Sequence, residues 1–334
     1  HPADELVGVF GGAAAAPAAF ACHPDGTRVY VTDVGSSTVN VVDAIDGSMA
    51  AFGIDVGLAP NDVTLTPNGL DAYVTNSSQF GSVSIIDTRT ETRIADIPLY
   101  DPNSPGSNIG EFPSAVVCHP DGLHRFVSNY LSRDISVIST ASRELVKVFS
   151  LKFHDEFRSH PTGMALDLEG TRLWVTLSGI NVLLAVDVGI AVDTQSAQSP
   201  LILDESVDLS MHPFPSSVAL DALDSMALVT NFEIDPAGFP SRGRLARVNL
   251  GARMIDGFTE LGELPLEVVV APPVPPAPTA TPGATPTPVT GVRCGAVVCN
   301  VGQRCEIDTQ CHINGGRTQN GQFLDCSNFD RCLN

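Results

Sequence analysis

Positive charge is scarce in this 334-residue chain: 18 Lys and Arg stand against 38 Asp and Glu, a formal net charge of −20. Nucleic-acid binding needs a surface rich in Lys and Arg, so the balance excludes that class and argues against anionic membrane surfaces. Aromatic residues are few, at 6% with a single Trp. No apolar run reaches the roughly 18 residues that a membrane-spanning helix takes. Reaction signatures are missing as well. There is no G-x-S-x-G elbow of a serine hydrolase, no P-loop and no G-x-G-x-x-G in a βαβ setting. No CxxCH marks a haem attachment, and no CxxC knuckle marks a zinc site.

What is present is a phrase repeated five times and begun a sixth. Each copy opens with a proline: Pro17, Pro60, Pro113, Pro161, Pro215 and Pro265, spaced by 43, 53, 48, 54 and 50 residues. A short apolar stretch follows, then a turn such as Pro-Asp-Gly, then three more strand-like runs. Periods of this length filled with short strands are the pattern of a β-propeller. No such unit can bury both of its faces alone, so each small sheet must pack on its neighbours. Runs such as SVSIID and ISVIST alternate apolar and small polar residues. The opening runs, such as SAVVCHP, are apolar nearly throughout and predict strands buried on both faces along the axis. With 43% hydrophobic and 17% charged residues, the chain can fill a sizeable core.

The second strand of each phrase carries a signature: Tyr30-Val31-Thr32-Asp33, Tyr73-Val74-Thr75-Asn76, Phe126-Val127-Ser128-Asn129, Trp174-Val175-Thr176-Leu177 and Leu228-Val229-Thr230-Asn231. These residues resemble the YVTN-type β-propeller repeats of bacterial and archaeal surface and secreted proteins, over about residues 1–272. The resemblance implies the fold and an extracellular setting. It does not assign chemistry, because that family includes surface-layer components and binding modules, and related propellers include lactonases and quinoprotein dehydrogenases. The first residue is His1 rather than Met, for which a removed signal peptide is the expected reason.

Both ends of the repeat region are out of phase with the phrase. DELVGVFGG (4–12) matches the last strand of a repeat, and LEVVVAPP (266–273) matches the first. Such ends predict a composite or partial sixth blade, closed within one chain or by a neighbour. Residues 273–292 form a Pro/Thr-rich linker expected to be extended, with Thr279, Thr281, Thr285, Thr287 and Thr290 as candidate O-glycosylation sites. Residues 293–334 hold Cys294, Cys299, Cys305, Cys311, Cys326 and Cys332. A segment this short needs staples, and an even cysteine count reads as three disulfides of open connectivity. Cys22 and Cys118 occupy the same position in repeats one and three, too far apart to pair, and are expected to be buried small hydrophobes.

Candidate chemistry centres on histidine. His160 and His212 each lie just before the opening strand of a repeat, at the channel mouth, where with Asp155 and Glu156 they could hold a transition metal. His1 could chelate copper through its amine and ring. Oxygen-rich loops at 101–112 and 231–239 could bind Ca²⁺, although neither matches a known calcium loop. The expectation is therefore an all-β protein: a propeller of five complete four-stranded repeats with a composite or partial sixth blade over 1–272, the linker, and a small disulfide-rich module. Its expected function is a secreted, non-catalytic, structural or adhesive subunit of an extracellular filament or layer that self-associates through terminal strands or the tail. An enzyme or metalloprotein at the channel mouth, lactonase-like or redox, and a module that binds carbohydrate or protein are the alternatives.

Overall fold

A computed structural model describes residues 16–101, 108–151, 159–189, 206–211, 213–221, 223–234 and 240–261, together with short strands at 291–294, 297–300, 304–306 and 331–333. The chain divides into two compact units, His1–Pro273 and Val274–Asn334. The first is a five-bladed β-propeller of four-stranded antiparallel sheets. Blade one comprises β1 (Pro17–Cys22), β2 (Arg28–Asp33), β3 (Thr38–Asp43) and β4 (Met49–Asp55). Blade two comprises β5 (Pro60–Leu65), β6 (Asp71–Asn76), β7 (Ser82–Asp87) and β8 (Thr92–Pro98). Blade three comprises β9 (Pro113–Cys118), β10 (His124–Asn129), β11 (Asp134–Ser139) and β12 (Glu144–Ser150). Blade four comprises β13 (Pro161–Leu166), β14 (Arg172–Leu177), β15 (Val182–Asp187) and β16 (Val207–Asp208). Blade five comprises β17 (Pro215–Leu220), β18 (Met226–Ile234), β19 (Pro240–Asn249) and β20 (Met254–Leu261). In the second unit, β21 (Gly291–Cys294) pairs with β22 (Val297–Asn300), and β23 (Arg304–Glu306) pairs with β24 (Arg331–Leu333).

The repeated signature has a distinct physical task at each position. Its first residue (Tyr30, Tyr73, Phe126, Trp174) is buried against the following blade. The valine after it (Val74, Val127, Val175, Val229) is buried against the preceding one. The third residue repairs the sheet. Each inner strand slips register just after its opening proline. The backbone N–H left there donates to a hydroxyl: Ala19 to Thr32 at 2.9 Å, Asp62 to Thr75 at 2.9 Å, Ala115 to Ser128 at 3.0 Å, Gly163 to Thr176 at 2.7 Å and Ser217 to Thr230 at 3.0 Å. A valine here would leave a buried donor unmet, which explains the restriction to Thr or Ser. The fourth residue, Asn76 or Asn129, donates to side chains of the next strand.

Inter-blade latches repeat as well. His23 donates from Nε2 to the Gly69 carbonyl at 3.0 Å, and His119 does the same to Gly170 at 2.9 Å. Gly170 has φ +71, and a Cβ there would lie 2.5 Å from the His119 ring, so the turn admits only glycine. The Ser114 hydroxyl donates to the Pro161 carbonyl and the Thr162 hydroxyl to the Pro215 carbonyl, each at 2.9 Å.

Burial differs from the sequence expectation. The inner strands are only partly buried, whereas the third strands, which read as alternating, are buried nearly throughout. A third strand lies mid-blade with a neighbouring sheet on each face. An inner strand has one side on the open channel.

Four apolar cores join the blades: one to two, two to three, three to four and four to five. Among the described residues no fifth core joins blade five to blade one. Leu261 of blade five is 39% exposed, while its counterparts Leu99, Leu151 and Leu209 are fully buried. Val31 of blade one and Leu228 of blade five are also half-open, although the same positions in the other blades are closed. Phe20 is 37% exposed where Val63, Val116, Met164 and Val218 are buried.

Candidate functional site

The five inner strands enclose a central channel of about 1210 Å³. Its middle is lined by small and apolar side chains, including Ala21, Val117, Ala165 and Ala219. Most polar groups along it already have partners. The hydroxyls of Ser114, Thr162 and Ser216 bond to Ser128, Thr176 and Thr230 at 2.8–2.9 Å. Asp62 bridges two strands, accepting from Val63 N at 2.8 Å and from Val116 N at 2.7 Å. Burial pushes its carboxyl up to about 7, against the two N–H groups that favour the charged form.

The Cys118 thiol is not poised for nucleophilic chemistry. Burial pushes the Cys118 thiol up, and its Sγ donates to the Leu65 carbonyl. Cys22 and Cys118 are unpaired, as the repeat spacing implies. Cys22, the last residue of the inner strand of blade one, is exposed rather than buried among the described residues.

One mouth of the channel collects aromatic rings. The residue before each opening proline and the residue after each signature meet there, joined by backbone bonds from Tyr130 to Phe112, Ser178 to His160 and Phe232 to Phe214. Tyr130 stacks on His160 of the next blade, with centroids 4.6 Å apart and planes 21° apart. Phe214 stacks on Phe232 at 5.4 Å and 17°. Phe112 and Phe214 hold φ of +53° and +52°, as Ala59 does at +50°. A left-handed backbone on a bulky residue costs about 1–3 kcal/mol and needs support from its surroundings. Support comes from the preceding blade: Phe112 N donates to the Ser78 carbonyl at 2.9 Å, and Phe214 N to Asn181 Oδ1 at 2.8 Å.

His160 is therefore at the mouth, as its position before Pro161 predicts, and it donates from Nδ1 to the Tyr130 carbonyl at 3.1 Å. Its proposed co-ligands His212, Asp155 and Glu156 lie outside the described residues, as do His1 and the threonines of the linker. The two candidate Ca²⁺ loops are described only in part. No group of three or more potential metal-ligating side chains occurs among the described residues. Cys305 and Cys332 are register partners across β23 and β24, while the side chains of the six tail cysteines lie outside what is described. Tyr130 and Phe232 are the site residues that sequence reasoning passed over. Their signal was an aromatic directly after the signature asparagine.

No protein-family model matches the chain, and no curated protein sequence does. Solved structures share its fold. Hydrazine synthase of Kuenenia stuttgartiensis matches with a TM-score of 0.54 and 19% identity, over 74% of this chain and 66% of that one, just under two thirds. The Cps50 (Swd1) β-propeller domain of Myceliophteria thermophila matches with a TM-score of 0.56 and 12% identity, over 74% of each chain. A functionally unknown protein from Desulfotomaculum acetoxidans matches with a TM-score of 0.51 and 13% identity, over 74% of this chain and 70% of that one. At these identities the likeness shows a propeller fold and nothing about activity.

Proposed function

We propose that the chain is a non-catalytic, secreted, structural or adhesive subunit of an extracellular filament or layer, whose propeller is completed at the interval between blades five and one. One observation carries this reading: the fifth inter-blade core is missing among the described residues, and apolar positions closed elsewhere are open there. A composite sixth blade fits the interval. Starting an inner strand at Pro265 puts Val268 at the position of Val63, Val116, Met164 and Val218, the residues that seal each blade against the one before. Ser216 is the counterpart of Ser114 and Thr162, so its hydroxyl would donate to the Pro265 carbonyl. DELVGVF would supply the outermost strand. The phrase carries no middle strands for this blade, and a neighbouring subunit could supply them by strand addition.

The test compares the full chain with a chain ending at residue 272, by light scattering over a range of concentrations. The full chain is expected to form particles of many subunits and the shortened one to stay a single propeller. If the shortened chain assembles equally well, the tail has no part in assembly. If neither assembles at any concentration, the reading is wrong.

A further inference from the structure

In a chain with 6% aromatic residues, the rings and the imidazole gathered at one end of the ring of blades need a reason. They include Phe112, Tyr130 and His160 over blades three and four, Phe214 and Phe232 on blade five, and on blade two the exposed Phe80 with Tyr100 edge-on to it at 5.4 Å. The fold does not require them. Blade one has Val34 after its signature, and blade two has Ala59 and Ser77 at the paired positions, with the same backbone bond from Ser77 N to the Ala59 carbonyl. Ala59 also shows that the left-handed backbone can be held without an aromatic side chain. Phe112 and Tyr130 remain 37% and 39% exposed. Phe112 N is bonded to the Ser78 carbonyl of the preceding blade, Tyr130 N to the Phe112 carbonyl, and the Tyr130 carbonyl to His160 of the next blade, so the backbone of this surface is organised before anything binds. Flat, half-exposed rings on a bonded backbone are what an extended proline-rich strand docks on, since its own shape is already set and little entropy is lost.

The same chain contains a sequence of that composition. Residues 271–290 include eight prolines and no charged residue. Neutrality matters because a protein of net charge −20 repels acidic partners. Even-numbered strands return toward this mouth, so the chain leaves blade five at Leu261 on the end where the rings gather. In polyproline II form, twenty residues reach about 60 Å, enough to pass from one subunit to the next.

We propose that the aromatic mouth of blades three to five is the docking surface for the proline-rich segment 271–290 of a second copy. This deepens the assembly reading by naming the surface that receives the tail.

The probe is a labelled synthetic peptide of residues 271–290, titrated into the full-length chain and into its Tyr130→Ala, Phe112→Ala and Tyr130→Phe variants. Saturable binding is expected, weakened about tenfold or more by either alanine and kept by Tyr130→Phe. A version with alanine for proline should not bind. Where copies already occupy the mouth, excess peptide should lower the particle mass instead. Absence of binding together with unchanged particle mass would overturn the proposal. So would binding that ignores Tyr130 and Phe112, or an oligosaccharide that binds there when the peptide does not. A chain that binds peptide yet stays monomeric at every concentration would overturn the second copy as occupant. Particles that persist in Tyr130→Ala while peptide binding is lost would support the docking surface and show that the blade interval alone sustains assembly.

Discussion

Leu261→Ala, set beside Leu151→Ala, reads out whether the interval between blades five and one is filled in the working protein. The two leucines hold equivalent positions at the end of their blades' outermost strands, Leu151 N bonding to the Arg133 carbonyl and Leu261 pairing with Gly243. Leu151 is fully buried in the core between blades three and four. Its truncation removes the buried Cγ and both Cδ atoms and leaves a cavity, for a loss of roughly 2–5 kcal/mol. Leu261, at 39% exposure, should lose only about 1 kcal/mol if it faces water. If a sixth blade covers it, the loss rises to that of Leu151. For a propeller of this size each kcal/mol moves Tm by about 2–4 °C, so calorimetry separates the cases. Covering by a neighbour would add a second signature, a Tm that climbs with protein concentration, because the partner binds only the folded state. The account predicts comparable losses for the two variants in the native protein. A Leu261→Ala loss below about 1 kcal/mol, with Leu151→Ala losing 2 kcal/mol or more, would refute it.

Other perturbations test the propeller itself. Arg125 is wholly buried, with its guanidinium 4.9 Å above the Tyr73 ring, Nη1 on the His124 carbonyl, and Nε and Nη2 unmatched among the described residues. Denaturant melts should show Arg125→Met neutral or stabilising by about 1–4 kcal/mol; a loss above about 2 kcal/mol would mean the charge has a partner. Asp62, its carboxyl raised to about 7, binds a proton more tightly folded than unfolded. Its contribution is therefore full below about pH 4 and fades as pH rises to about 7, by no more than about 4 kcal/mol. The difference between wild type and Asp62→Asn should follow that slope, and a flat difference would show the carboxylate stays ionised. Thr176→Val should lose about 1–3 kcal/mol by stranding Gly163 N, with Thr176→Ser close to wild type; equal losses in both would point to packing instead.

Much of the fold is legible in the sequence because each blade repeats one solution. The opening prolines mark the inner strands, and the Thr or Ser of the signature is fixed by the backbone donor it satisfies. The histidines of His23-Pro24-Asp25-Gly26 and His119-Pro120-Asp121-Gly122 read as turn residues, yet each ring also reaches the glycine carbonyl of the following blade's turn. That contact spans about fifty residues and leaves no local trace. The burial of the third strands was misjudged for a related reason: alternation reports chemistry along one strand, while a mid-blade strand is closed on both faces by sheets from elsewhere in the chain. The mouth was visible only in part. Phe112, His160 and Phe214 announce themselves by preceding prolines, but Tyr130 and Phe232 join them through pairing across the sheet and between blades.

The most direct test of the assembly account is electron microscopy of the native full-length protein at several dilutions. Regular filaments or layers, with adjoining propellers meeting at blades five and one, are the predicted result. Monodisperse single rings at every dilution, with that interval closed by the same chain, would contradict it.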